Sequence, residues 1–495
     1  MRAILALDQG TTGSTALVFS EHGTVIGRAQ GEITQHYPQP GWVWHDPEEI
    51  WRVSLRVMEE ALGRAGVAAA SVAAIGLTNQ RETTVVWERA TGRPFHPAVV
   101  WQSRQTADIC HGLRAAGHEP AVRARTGLLL DPYFSATKLT WLLERVDGLR
   151  ARAEGGDALF GTVDSWLLWK LTGGGVHATD ATNASRTLLF DIGERRWHPE
   201  LLSLFGVPAA MLPEVRHSGA VFGETAAIGP LPGGIPVAGI TGDQQAALHG
   251  QGCWEPGTAK NTYGTGCFLV RNMGSDRPSP AGGLLATLCC DADGRPAYAL
   301  EGSVFIAGAA VQWLRDELGF VGDAAETEAV ARSIPDTMGV HVVPAFAGLG
   351  APYWDMDARG AVLGLTRGAG RRQIVRATLE SIAYQTRDVV DDMNRHSGEP
   401  LRELRVDGGA AANAFLMQFQ ADLLGLPVRR PALVETTAAG AAFLAGRAIG
   451  LWPGREALAA LGETTEFHPR MADDERERLY DGWRQAVARV RSDRR

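Results

Sequence analysis

The stretch LDQGTTGSTALVF, Leu7 to Phe19, decides how the chain is read. An apolar run ends in the carboxylate Asp8. Two glycines, Gly10 and Gly13, then stand among the hydroxyls of Thr11, Thr12 and Ser14, and a second apolar run follows. Glycines let backbone N–H groups converge on an anion, and the hydroxyls add donors. Common phosphate loops run from a strand into a helix, whereas Ala16–Phe19 reads as a strand. A carboxylate beside phosphate is repulsive unless a divalent cation lies between them, so Asp8 points to Mg²⁺ held through water. On this stretch alone a plain hairpin turn reads as well as a phosphate loop.

Working outward, Ile4–Leu7, Ala16–Phe19 and Val25–Ala29 are expected as three short strands, the last two joined by the turn at 21–23. A Pro-rich segment, YPQPGWVWHDP, leads to a helix from Pro47. Asp46 is its N-cap, and Ile50, Val53, Val57, Met58 and Leu62 lie on its apolar face. The second half repeats the opening theme: NTYGTGCFLV (261–270) is again strand, Gly/Thr turn, strand. LRVDGGAAANAFLMQF (404–419) is a strand, a Gly-rich turn and a helix. The charged tail after Ala472 is expected as a solvated helix. The chain thus divides into two α/β halves, 1–248 and 249–495, each with its own Gly/Thr hairpin.

At 495 residues the chain exceeds one ordinary core. Its 45% hydrophobic and 21% charged composition is that of a folded globular protein. A net charge of −8 argues against nucleic acid or an anionic membrane as the main partner. No apolar run approaches the ~20 residues of a membrane span, so no membrane insertion is expected. Five cysteines without a CxxC fit a reducing, cytoplasmic setting rather than a disulfide or zinc framework. Only three of 48 basic residues are lysine (Lys138, Lys170, Lys260), and none follows a glycine, which excludes a P-loop. A Rossmann fingerprint is also missing.

The hairpin Tyr263-Gly264-Thr265-Gly266 is placed to close on the same phosphates from the other half. Asp407-Gly408-Gly409, with Asn413 a turn later, offers a floor for a base and ribose. On the acceptor side, Asp243-Gln244-Gln245 puts a carboxylate and two amides at a helix start. Asn79-Gln80-Arg81-Glu82 puts an ion pair between two strands. Each of these two acceptor-side motifs, taken alone, reads more readily as a cap or a surface ion pair.

Read together, these motifs resemble the FGGY family of carbohydrate kinases. The blocks GAVLGLTRGAGRRQIVRATLE (360–380) and YFSATKLTWLLE (133–144) are similar to the family's two signatures, and further blocks extend the likeness along nearly the whole chain. The resemblance implies two ribonuclease-H-like (actin/Hsp70/hexokinase-type) domains around a central cleft. It implies transfer of phosphate from ATP to glycerol, with another small polyol or a pentose as the alternative acceptor. Carried over by position, Arg81, Glu82, Tyr133, Asp243 and Gln244 would bind hydroxyls of glycerol, and Trp101 and Phe268 would pack on its carbon edge. Thr11 and Thr12 would meet the terminal phosphates; Thr265, Gly308, Gln312, Gly409 and Asn413 would meet the nucleotide. Asp243 would be the general base, and Asp8 and Asp243 would be the metal-side carboxylates. A homo-oligomer, dimer or tetramer, is also implied.

Two departures stand out. Family members commonly carry Ser-Ser-Arg where this chain has Gly13-Ser14-Thr15, so one phosphate-side charge is missing. In the enterobacterial member of the family, the loop that takes the inhibitor fructose 1,6-bisphosphate carries an arginine, whereas GPLPGGIP (229–236) has none. The segment PRMADDE likewise departs from the family's docking site for a sugar-transport regulator, so neither inhibitory input is expected.

Overall fold

A computed structural model describes residues 2–279, 282–455, 458 and 462–492. Two mixed sheets organise it. The first has six strands in the order Val221–Glu224, Pro236–Gly242, Val72–Asn79, Ala3–Gln9, Gly13–Ser20, Val25–Glu32. The last three form the antiparallel meander expected from the opening stretch, while Val72–Asn79 runs parallel to both Ala3–Gln9 and Pro236–Gly242.

The register of those three parallel strands brings several of the candidate residues to one edge. Asp8 lies opposite Thr78, Gln9 opposite Asn79, and Gly242 opposite Asn79. Their carboxyl ends therefore finish level, and the chain leaving each one delivers Gly10–Thr12, Gln80–Glu82 and Asp243 to one edge. This is the edge where open α/β sheets bind ligands.

The second sheet has seven strands: Leu285–Cys290, Pro296–Val304, Cys267–Gly274, Ala259–Tyr263, Leu404–Asp407, Val428–Pro431 and Thr464–Phe467. It repeats the arrangement: Ala259–Tyr263 and Cys267–Gly274 form a hairpin, and Leu404–Asp407 runs parallel to the first of them. Thr262 opposite Asp407 sets Gly264-Thr265 beside Gly408-Gly409.

Helices cover both sheets. Helix Pro47–Ala65 begins as expected: Asp46 accepts from the Glu48 N–H at 2.9 Å, and Pro47 occupies the first turn. It lies close against the meander, because a Cβ at Gly27 would stand 2.3 Å from the Ala61 carbonyl oxygen. Helix Thr436–Ala448 comes from the C-terminal half yet covers the other face of the first sheet. There Ala438, Ala442, Phe443 and Trp452 cluster with Ile4, Leu17 and Phe19. Gly76 admits it, since a Cβ there would lie 2.4 Å from the Ala441 carbonyl oxygen.

The tail departs from expectation. Helix Asp473–Val490 is solvated on one face only. Tyr480, Trp483, Val487 and Val490 are buried on the other, and Trp483 stacks on Tyr384 at 5.4 Å. Its indole N–H and the Tyr480 hydroxyl both donate to Asp388 (2.8 and 2.6 Å). The charged run ADDERER occupies the first turns and masks the apolar spacing behind it. All five cysteines are buried and free, and Cys289 and Cys290 are strand residues. Among the described residues no helix is long and apolar enough to cross a membrane.

Candidate active site

The opening hairpin turns at Gly10–Gly13, with the Gly10 N–H donating to the Gly13 carbonyl at 2.8 Å. Gly13 is required by packing: a Cβ there would lie 2.4 Å from the Gly31 carbonyl oxygen on the next strand. Thr11 and Thr12 stand at the tip. Thr11 Oγ1 accepts from the indole N–H of Trp101 at 2.8 Å, so the hairpin tip touches that side chain. Trp101 meets Tyr133 edge to face, 5.3 Å between ring centres.

Arg81 sits at the centre, in the left-handed region with φ of 64°. A non-glycine residue there is held by its surroundings and is characteristic of functional sites. Its Nη1 donates to Glu301 at 2.6 Å and its Nη2 to the Tyr133 hydroxyl at 3.2 Å. Its Nε lies 3.1 Å from Asp243 Oδ1 and 3.7 Å from Glu82 Oε1. Glu82 Oε1 accepts from Arg186 Nε at 2.7 Å, and Arg186 Nη2 donates to Glu301 at 2.8 Å. Three groups in this buried cluster lack a hydrogen-bond partner, the Arg81 Nε–H and Arg186 Nη1 donors and the Glu82 Oε2 acceptor, although Arg81 Nε is ion-paired with Asp243. Buried groups of this kind cost about 1–3 kcal/mol unless satisfied, so a donor and an acceptor left open side by side suit adjacent hydroxyls.

Asp243 and Gln244 open helix Asp243–Gly250 at the end of the strand Pro236–Gly242. Gln244 Oε1 accepts from Lys260, which also donates to Thr262 Oγ1 at 2.8 Å. Burial lowers the Lys260 ammonium to about 8, against the pull of Asp407 and Asp243. Asp8 is raised to about 7, by burial first and then by the carboxylates of Asp243 and Glu435. Among the described residues Asp8 has no ion-pair partner, whereas Asp243 pairs with Arg81 and Glu435 with Arg28, so Asp8 is the carboxylate here whose charge a divalent cation would offset. Phe268 lies on the strand Cys267–Gly274, half-buried, opposite Ser303, and has no ring contact with Trp101 or Tyr133.

The residues expected to meet the nucleotide converge separately. Thr265, Gly308, Gln312, Gly409 and Asn413 line one cavity of about 460 Å³ in the C-terminal half. Gly308 donates to the Gly264 carbonyl at 2.9 Å, and a Cβ on it would approach that oxygen to 2.6 Å, so the second hairpin and helix Gly308–Asp316 close on each other. Asn413 caps helix Ala414–Leu424 by accepting from the Leu416 N–H at 3.0 Å, and its amide donates to Thr327 at 3.1 Å. A cavity with glycine walls and a few polar groups fits a planar base and ribose.

Sequence reading did not single out Glu301, Arg186 or Lys260, nor Arg315, Thr327 and Glu328 on the cavity wall. Glu301 had a visible signal, a charged residue inside the apolar strand AYALEGSV, and Lys260 is one of three lysines. Arg186 had none.

Comparison with known proteins follows the same division. The models of the FGGY family of carbohydrate kinases match residues 3–250 with the N-terminal domain and 259–449 with the C-terminal domain. The chain is 56% identical over 489 residues to glycerol kinase of Carboxydothermus hydrogenoformans, covering 99% of this chain and 98% of that one. It is 58% identical over 492 residues to glycerol kinase of Symbiobacterium thermophilum, at 99% and 98% coverage. Among solved structures, glycerol kinase of Plasmodium falciparum with ADP superposes with a TM-score of 0.93 at 34% identity, covering 99% of this chain and 98% of that chain. A xylulose kinase from Brucella ovis gives 0.87 at 26% identity, at 99% and 100% coverage.

Proposed function

The chain belongs to the FGGY family of carbohydrate kinases, and we infer that it transfers the γ-phosphoryl group of ATP to a primary hydroxyl of glycerol, yielding sn-glycerol 3-phosphate. The observation that carries the acceptor assignment is a donor and an acceptor that make no hydrogen bond, Arg81 Nε–H and Glu82 Oε2, with Nε facing the Asp243 carboxylate at 3.1 Å. Full-length identity of 56–58% to glycerol kinases, against 26% to the xylulose kinase, favours glycerol over a pentose.

Each residue then has a role in this reading. Glycerol has six heavy atoms, so at about 1.5 kcal/mol per atom its binding is capped near 9 kcal/mol and each hydroxyl must be matched. Arg81 donates, Glu82 and Asp243 accept, and Gln244 and Tyr133 complete the set. Because Lys260 occupies Gln244 Oε1, the Gln244 amide is left to donate. Trp101 and Phe268 wall the carbon edge. Thr11 and Thr12 meet the terminal phosphates from one half and Thr265 from the other. Gly308, Gln312, Gly409 and Asn413 receive the nucleoside.

Phosphoryl transfer is mainly positioning and charge stabilisation. Asp243 orients the attacking hydroxyl and accepts its proton. Mg²⁺ when bound neutralises phosphate charge, and Asp8, with Asp243, would hold it through water. The division at 248/249, a homo-oligomeric state and a cytoplasmic location belong to the same reading; five free buried cysteines support a reducing compartment. Loop 229–236 has no arginine, which extends the reading to an enzyme not inhibited by fructose 1,6-bisphosphate.

The test is Asp243→Asn. Glycerol-dependent ADP release should fall by at least ~10²-fold while ADP binding, measured by calorimetry, is retained. Near-normal turnover would remove Asp243 as the base.

A further inference from the structure

We propose that Arg186 and Glu301 are the positioning pair of the acceptor site: they grip Arg81 and Glu82 by their outer atoms and so hold one donor and one acceptor open for the polyol. The proposal rests on the acceptor reading above and adds two residues to it that do not touch the substrate.

Four charges, two guanidinium and two carboxylate, form a closed and neutral ring with at most 2% of any member exposed. Going round, Glu301 takes Arg81 Nη1 at 2.6 Å and Arg186 Nη2 at 2.8 Å, Arg186 Nε reaches Glu82 Oε1 at 2.7 Å, and Glu82 lies 3.7 Å from Arg81. Arg186 is further fixed against rings, 5.2 Å from Phe134 and 5.7 Å from Tyr133. Burial alone would raise the Glu301 carboxyl. The two arginines outweigh it and hold it at about 2, so it is ionised throughout the physiological range.

The ring accounts for Arg81 Nη1 and for Glu82 Oε1. What remains without a hydrogen bond is Arg81 Nε and Glu82 Oε2 on the gripped pair, and Nη1 of Arg186 itself, with Tyr133 holding Arg81 Nη2. Arg81 Nε already faces Asp243 at 3.1 Å without a hydrogen bond, and Glu301, by drawing Nη1 to itself, fixes how far the guanidinium turns toward that carboxylate. Without Glu301 the guanidinium is free to turn further onto Asp243, which would hold the base carboxylate away from the hydroxyl it must serve. Glu301 is also the one member drawn from the C-terminal half, on the strand Pro296–Val304. The ring therefore spans the two halves at the floor of the cleft, and the polyol site is complete only when the halves are in this arrangement.

A double-mutant cycle on the full-length enzyme tests this with Glu301→Gln, Arg81→Ala and the combined variant. Glycerol kcat/KM and ADP affinity are read for each. In the Arg81-containing protein, Glu301→Gln should lower glycerol kcat/KM by roughly 10²-fold, with the ADP Kd changed less than about twofold. In the Arg81→Ala background the same change should cost less than about threefold, because Glu301 acts through Arg81. An equal loss in both backgrounds, or wild-type kinetics in Glu301→Gln, would overturn the proposal. If Glu301→Gln does not fold, Arg186→Lys against Glu82→Gln is read by the same criterion. Wild-type protein that fails to phosphorylate glycerol would overturn the acceptor reading and this proposal with it. An active wild type with an additive cycle overturns the positioning role alone.

Discussion

Gly242 holds the acceptor site open by having no side chain. Its backbone, φ −64° and ψ 151°, is one any residue adopts, so Gly242→Ala introduces no backbone strain. The added Cβ would lie 2.7 Å from Arg81 Cγ, 2.8 Å from Arg81 Cδ and 3.1 Å from Gln245 Oε1. Carbon atoms in contact rest at about 3.5–4.0 Å, so the Arg81 stem must retreat by roughly 0.8 Å or more. It cannot swing freely, because Nη1 and Nη2 are held by Glu301 and Tyr133. The displacement therefore falls on Nε, the atom proposed to meet the polyol. A misplacement of about 1 Å costs on the order of 10²-fold in rate, so glycerol kcat/KM should drop ~10–100-fold. The nucleotide cavity lies in the other half, and ADP affinity should be unchanged. Steady-state kinetics with varied glycerol, alongside calorimetric ADP binding, gives both numbers. Glycerol kinetics within about twofold of wild type would refute the argument that Arg81 is held to sub-ångström placement.

Other perturbations probe different parts of the account. Trp101→Phe removes the donor to Thr11 Oγ1; losing about 1 kcal/mol should raise the ATP KM ~5-fold, and an unchanged value would detach Trp101 from the phosphate loop. Asp388, which anchors the C-terminal helix through Tyr480 and Trp483, is raised by burial from 3.8 to about 6. Between those values the folded protein binds the extra proton, so this group's contribution to stability is greatest at low pH and is lost as pH rises through about 6. Asp388→Asn should therefore gain on wild type by about 1–3 kcal/mol between pH 4 and pH 7, read from melts at each pH; a pH-independent difference would contradict the assignment.

The parts of the fold that were legible in the sequence rest on local rules. The hairpin at Leu7–Phe19, the Asp46 cap and the helix start at Asp243 each depend on residues within a few positions of one another. The sorting of candidates into an acceptor group and a nucleotide group rested on the family resemblance rather than on local pattern. What was not legible depends on long-range pairing. Glu301 meets Arg81 across 220 residues, and Arg186 meets Glu82 across 104; no local pattern encodes either contact. Helix Thr436–Ala448 is built of small residues, which fit against Gly76 and Gly239 of the other half's sheet, and composition does not say which sheet they face. The C-terminal helix is a different case. Tyr480, Trp483, Val487 and Val490 recur at helical spacing, but the acidic first turn dominated the reading. At Gly13, where the family carries serine, the strand Val25–Glu32 passes too close for a side chain. Nothing in the structure explains why Thr15 stands where the family carries arginine.

The central claim is that a donor and an acceptor held open at Arg81 and Glu82, beside Asp243, select a three-carbon polyol. It is tested most directly by measuring kcat/KM of the wild-type enzyme for glycerol, xylulose, ribulose and longer polyols, following ADP release with ATP and Mg²⁺. The account predicts that glycerol is preferred and that ATP turnover without acceptor is negligible. A preference for a pentose, or ATP hydrolysis indifferent to polyol, would contradict it.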